Sequence, residues 1–114
     1  MDAEDDVLTL NIERTSDAVV VHCHGRLVAG ETELLYDEVS RLIPDNQRIV
    51  LDLSQLAHMD SSGLGTLVRI WVSAKSAHCD LELQNLGKRI RQLLGLTNML
   101  QVFTVVGENR TNAF

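Results

Sequence analysis

The stretch Arg48-Ile49-Val50-Leu51-Asp52-Leu53, leading after a short connection to Met59-Asp60-Ser61-Ser62-Gly63-Leu64-Gly65, decides how the rest of the chain is read. Its first part, with Ile49, Val50, Leu51 and Leu53, is too short an apolar run for a helix and is rich in β-branched side chains, which predicts a buried strand. Beyond the turn, Leu64, Leu67, Val68, Trp71, Val72 and the stem of Lys75 recur at steps of three and four, which predicts a helix with these side chains along its inner stripe. The turn itself sets a carboxylate before two adjacent hydroxyls. A helix start is a place where backbone N–H groups lack intrahelical partners and the positive dipole end favours negative charge.

On the N-terminal side, Val7, Leu8, Leu10 and Ile12 predict a first strand ending near Glu13 or Arg14, with Ser16-Asp17 as a turn. Residues 18–24 predict a second strand, ended by Gly25 and paired antiparallel with the first; Val19, Val21 and Cys23 share one face, Val20, His22 and His24 the other. A helix is expected over residues 31–43, with Gly30 or Thr32 as its cap and Glu31 and Glu33 in its first turn. Leu34, Leu35, Val39, Leu42 and Ile43 make its apolar side, and Pro44-Asp45-Asn46 stops it.

On the C-terminal side, residues 79–84 alternate Leu81 and Leu83 with Asp80 and Glu82, which predicts a strand closing a right-handed βαβ unit with parallel strands. A short helix over residues 88–94 turns Ile90, Leu93 and Leu94 inward and ends at Gly95 as a left-handed cap. A last strand follows near residues 102–106, and residues 107–114 have poor helix propensity and are expected to fray. The expected fold is therefore α/β: one domain over residues 7–106, a mixed sheet of about four to five strands with three to four helices, flanked by a flexible acidic segment 1–6 and the C-terminal tail.

Charge and composition narrow the function. The formal net charge is -6, and Asp2, Glu4, Asp5 and Asp6 supply most of it, so electrostatically driven nucleic-acid binding is disfavoured. No apolar run approaches the roughly 20 residues that span a bilayer, and the acidic start is unlike a signal peptide, so a cytoplasmic protein with no membrane insertion is expected. Cys23 and Cys79 have no CxxC partner and read as buried free thiols. His22 and His24, at i and i+2 on one strand face, could in principle share a metal ion; with no Cys or carboxylate at ligand spacing, the preferred reading is a half-exposed strand face, with no metal and no cofactor. Lys88, Arg89 and Arg91 read first as a solvated face and second as a docking surface for an acidic partner.

At the turn, Asp60 is the natural cap, which puts Ser61 and Ser62 at the first two helical positions with outward side chains. Three chemistries compete for the hydroxyls. Gly63-Leu64-Gly65 follows a strand and opens a helix, as a dinucleotide site requires, but Val68 stands where a third glycine is needed and there is no Gly-Lys-Ser/Thr loop. A serine nucleophile lacks a Gly-x-Ser-x-Gly elbow, and His58 is too near in sequence to be assumed its base. A regulatory phosphoacceptor needs only an exposed hydroxyl: phosphorylation of Ser61 adds about -1.5 to -2 charges beside Asp60 and on any docking surface.

The order of elements around Asp60-Ser61-Ser62-Gly63-Leu64-Gly65 resembles the STAS domain of bacterial anti-sigma factor antagonists. The resemblance covers nearly the whole chain: Ile49-Val50-Leu51-Asp52-Leu53, Leu56 and Met59 to Leu64 match the central pattern, and Leu93-Leu94-Gly95-Leu96 the segment before the last strand. It implies a phospho-switch without enzymatic activity of its own. The unphosphorylated protein binds an anti-sigma factor that is itself a serine kinase and so releases sigma factor. Phosphorylation at Ser61 weakens the complex, a serine phosphatase restores it, and ATP belongs to the kinase. Asp60, Ser62, Gly63, Leu64 and Gly65 are the implied partner-binding residues, the glycines allowing close approach. The alternatives are a non-switching STAS subunit of a transport or signalling scaffold, and a small serine hydrolase using Ser61. Two departures from the family pattern are Val28, where an acidic residue is usual after Gly25-Arg26-Leu27, and residues 107–114, which support a terminal helix poorly.

Overall fold

The computed structural model describes residues 7–106; the acidic segment 1–6 and the tail 107–114 lie outside the described residues. Five strands and three α-helices follow one another as β1 (Leu8–Arg14), β2 (Val19–Leu27), α1 (Thr32–Leu42), β3 (Arg48–Met59), α2 (Ser61–Ser76), β4 (Asp80–Gln84), α3 (Lys88–Leu96) and β5 (Thr104–Val106). Short 3₁₀ turns, Ile43–Asp45 and Met99–Gln101, follow α1 and precede β5.

The sheet keeps the order of the chain, β1-β2-β3-β4-β5. β1 and β2 form the antiparallel hairpin, from Leu8 opposite Gly25 to Arg14 opposite Val19, and every later pair is parallel. Each helical crossover advances one strand in the same direction, so the right-handed rule puts all three helices on one face of the sheet. Burial agrees. Val19, Val21 and Cys23 of β2, Ile49, Leu51 and Leu53 of β3, and Leu81 and Leu83 of β4 join one core with Leu35, Leu67, Ile70, Ile90 and Leu94 of the helices. Val20 and Val50 are buried but stand outside that core, on the opposite face with His22, Asp52 and Glu82.

Several local expectations shift. β2 does not stop at Gly25 but runs to Leu27; Gly25 sits inside the strand at φ +107, where a Cβ would fall on the Val7 carbonyl oxygen. Its freedom of φ bends the strand at a register irregularity rather than ending it. α1 begins at Thr32 with Glu31 as its cap residue, yet no side chain caps it: the Glu31 carboxylate instead accepts the Leu8 N–H at 2.8 Å, tying the start of β1 to the helix. Leu34, placed on the apolar side by periodicity, is 43% exposed.

α2 is rotated from the expected stripe. Its buried residues are Gly63, Thr66, Leu67, Ile70 and Ala74, whereas Leu64, Val68 and Trp71 are half-buried, Lys75 is exposed and Val72 is 50% exposed. At its start the small residues Gly63 and Thr66 face inward because that end is pressed onto the end of β2. Thr66 tolerates burial because its hydroxyl donates to the Ser62 carbonyl at 3.0 Å. α3 continues through Gly95 to Leu96, and the left-handed residue after it is Asn98, at φ +62. Leu93 is only half-buried, and the last strand starts at Thr104 because a 3₁₀ turn takes up the residues before it.

Candidate functional site

The site is the exit of β3 into α2. Asp60 leaves the strand in an extended conformation and caps the helix, its Oδ1 accepting the Gly63 N–H at 3.0 Å. The other carboxylate oxygen, Oδ2, accepts the Ala29 N–H at 3.1 Å, so the same residue holds the connection between β2 and α1. Its own N–H donates to the Leu27 carbonyl at 3.4 Å, and its carbonyl receives the Leu64 N–H at 3.0 Å, the first bond of the helix. The Gly63 and Ala29 amides hold its carboxyl below the usual carboxylate range. The carboxylate is thus fully engaged by backbone donors.

Ser61 and Ser62 take the first two positions of α2, and both are exposed. Among the described residues no hydrogen bond engages the Ser61 hydroxyl, so it stands in solvent beside an ionised cap. Gly63 lies inward. A Cβ there would strike the Leu27 carbonyl oxygen and stand 2.7 Å from Met59 Cγ, so glycine lets the start of α2 rest on the end of β2. Gly63 therefore shapes the surface from beneath. Gly65 is exposed with open space around its Cα, and Leu64 is half-buried between the two. Ser61, Ser62, Gly65 and part of Leu64 are thus the solvent-facing side chains and backbone of the first turn of α2.

A second polar centre, which no motif or spacing announces, lies on the sheet face away from the core. Asp52 of β3 is 6% exposed; its Oδ1 accepts the Ser54 N–H at 2.8 Å, and its Oδ2 accepts from Gln84 Nε2 at 3.2 Å and Asn85 Nδ2 at 3.4 Å. His22 lies across it, with Nδ1 3.3 Å from Asp52 Oδ2 and Nε2 2.8 Å from Glu13 Oε1. Burial alone would raise the Asp52 pKa, but the Ser54, Gln84 and Asn85 bonds outweigh it and hold the carboxyl below the usual range. His22 is thereby committed to carboxylates of β1 and β3, while His24 projects into solvent. The nearest signal in the sequence was the strand periodicity that put His22 on this face.

The two thiols are buried and free; burial, with Asp52 nearby, pushes Cys23 up to about 12 and burial raises Cys79 as well. Both are poor nucleophiles. Lys88, Arg89 and Arg91 are exposed along α3, which shares a groove with His58 and Met59 at the end of β3. No helix among the described residues is long and apolar enough to cross a membrane.

This order of elements is shared with known proteins. The STAS domain model matches residues 9–111, and the chain belongs to the STAS domain family. A STAS-domain containing protein of Pseudomonas aeruginosa (strain UCBPP-PA14) is 26% identical over 87 residues, 76% of this chain and 86% of the relative. The anti-sigma-B factor antagonist of Bacillus subtilis (strain 168) is 20% identical over 98 residues, 86% of this chain and 90% of the relative. Among solved structures, an anti-sigma factor antagonist from Mycobacterium paratuberculosis superposes with a TM-score of 0.80 at 20% identity, covering 93% of this chain and 91% of its own. The unphosphorylated anti-sigma factor antagonist SpoIIAA gives 0.73 at 20% identity, covering 90% and 92%. The phosphorylated form of Bacillus SpoIIAA gives 0.68 at 20% identity, covering 90% and 96%. The fold also lies within a much larger chain, the murine anion transporter Slc26a9, with a TM-score of 0.71 at 13% identity over 86% of this chain and 17% of the transporter.

Proposed function

We propose that this protein is an anti-sigma factor antagonist of the partner-switching kind: unphosphorylated, it binds an anti-sigma factor that is also a serine kinase and frees the sigma factor, and phosphate on Ser61 ends the complex. The observation that carries this reading is the Ser61 hydroxyl, exposed and unbonded at the first position of α2, next to a carboxylate already committed to Gly63 and Ala29. A phosphoryl group there adds about two negative charges to the patch formed by Ser62, Leu64 and Gly65, next to the Asp60 charge. A penalty of about 2.8 kcal/mol at the contact weakens binding a hundredfold, within reach of a buried like-charge pair. The name of the Bacillus subtilis relative and the two phosphorylation states of SpoIIAA support the same reading.

In this scheme the protein performs no catalysis, the kinase supplies ATP, a separate serine phosphatase resets Ser61, and all three work in the cytoplasm. The likeness to a transporter domain favours a second reading, a non-switching subunit of a transport or signalling scaffold. The retained Ser61-Ser62 pair weighs toward the switch. A serine hydrolase is least favoured, because nothing in the sequence supplies a nucleophile elbow.

The test is intact-mass analysis after incubation with ATP and the purified serine-kinase anti-sigma factors of the source organism. One phosphate, mapped to Ser61 and absent from Ser61→Ala, is expected; no phosphate with any of them sinks the proposal. Ser61→Asp should bind the kinase far more weakly than Ser61→Ala, and equal binding by both would count against a charge switch.

A further inference from the structure

We infer that the groove between the end of β3 and α3 is a second contact for the same kinase partner, built to take an apolar side chain flanked by carboxylates. The inference rests on the antagonist reading and deepens it. The groove has a volume of about 290 Å³ and is lined by His58, Met59, Arg89, Ile90, Leu93 and Leu96. Leu96 is 78% exposed, the most exposed large hydrophobic side chain among the described residues, and Leu93 is only half-buried. An apolar side chain so open at a groove mouth is costly to hydrate and gains most from an occupant.

Position and charge identify that occupant. Met59, which lines the groove, directly precedes Asp60 and stands two residues before Ser61 in the chain, which places the groove beside the turn that carries the phosphoacceptor. α3 reads Lys-Arg-Ile-Arg-Gln-Leu-Leu-Gly-Leu: it carries cations and no carboxylate in a chain whose net charge is -6. Lys88 and Arg89 are exposed beside the groove. A second copy of this chain would set like-charged helices against each other, whereas an acidic amphipathic segment of another protein matches both the apolar floor and the cationic rim.

Binding of each purified serine-kinase anti-sigma factor of the source organism, measured by calorimetry with the full-length protein, tests the inference. Leu96→Ser and Arg89→Glu change exposed residues, and unchanged melting curves will show that both variants fold. Each should weaken the complex at least tenfold, and Arg89→Glu should also flatten its dependence on salt. If wild type binds and is phosphorylated on Ser61 while both variants bind as tightly as wild type, the groove inference is overturned and the antagonist reading stands. If wild type neither binds nor accepts phosphate from any of these kinases, both fall. In the free protein, deletion of residues 1–6 or 107–114 should leave the amide resonances of Leu93 and Leu96 in place; large shifts would mean that the chain's own terminus occupies the groove, and would equally overturn the inference.

Discussion

Asp52 and Asp60 belong to the same strand-to-helix unit, and both carboxyls are held below the ordinary carboxylate range, yet they do opposite work. Asp52 sits in the middle strand, nearly inaccessible, and gathers Ser54 from its own strand, His22 from β2, and Gln84 and Asn85 from β4 and its end. It cross-ties the sheet. Asp60 sits at the exit, bonded to backbone amides of Gly63 and Ala29, and leaves the neighbouring hydroxyl of Ser61 open to solvent. Asp52 gathers side chains from neighbouring strands and ties the sheet, whereas Asp60 commits its two oxygens to backbone amides, Gly63 in its own helix and Ala29 in the β2–α1 connection, and leaves the adjacent hydroxyl free.

The largest expected effect separates the scaffold of the Asp60 site from its charge. Gly63→Ala leaves the carboxylate intact but drives a methyl group into the Leu27 carbonyl and Met59, and should cost about 3 kcal/mol in urea unfolding. A loss under a few tenths would mean that α2 can lift off β2, and that glycine is not what seats the site. Next comes Asp52→Ala, which leaves the Gln84 and Asn85 amides and the Ser54 N–H without their acceptor; about 2 kcal/mol is expected by the same measurement.

Acid titration sharpens the contrast. Because both folded-state values lie below the unfolded value of about 3.9, each carboxylate contributes its full stabilisation above that pH and loses it as pH falls through its folded value. Melting temperature should therefore decline on the acid side in wild type, and less steeply in Asp52→Asn, which has no charge to lose there. The smallest stability effect is expected from Asp60→Asn, whose side-chain oxygen can still cap α2: the melting temperature should fall less than in Asp52→Asn, and a larger fall would show that the exit, not the middle of the sheet, is the stronger tie.

What the sequence disclosed about these two residues follows from where their partners lie. Asp60 as the cap, and Ser61 and Ser62 at the first helical turn, depend on spacing within a few residues, and the structure has them so. The hairpin, the βαβ unit and the parallel strands were legible for the same reason, since each is written in local periodicity and turn residues. The rotation of α2 was not, because it depends on Gly63 meeting Leu27, a contact between distant parts of the chain that an average over apolar residues cannot register. The Asp52 centre was hidden likewise: an aspartate in an apolar run looks like a flaw until Gln84 and Asn85 arrive beside it. Gly25 and Gly95 show the ambiguity of glycine as punctuation, since one bends a strand that continues and the other lies inside a helix whose left-handed turn falls at Asn98.

The sheet order, identical to the order of synthesis, has a consequence for how the protein is made. Each strand leaving the ribosome meets an edge already formed by the strand before it, and no early strand waits unpaired for a late one to be inserted beside it. The nascent chain can therefore grow its sheet outward from the β1–β2 hairpin, sheltering each new apolar face under the helix that follows.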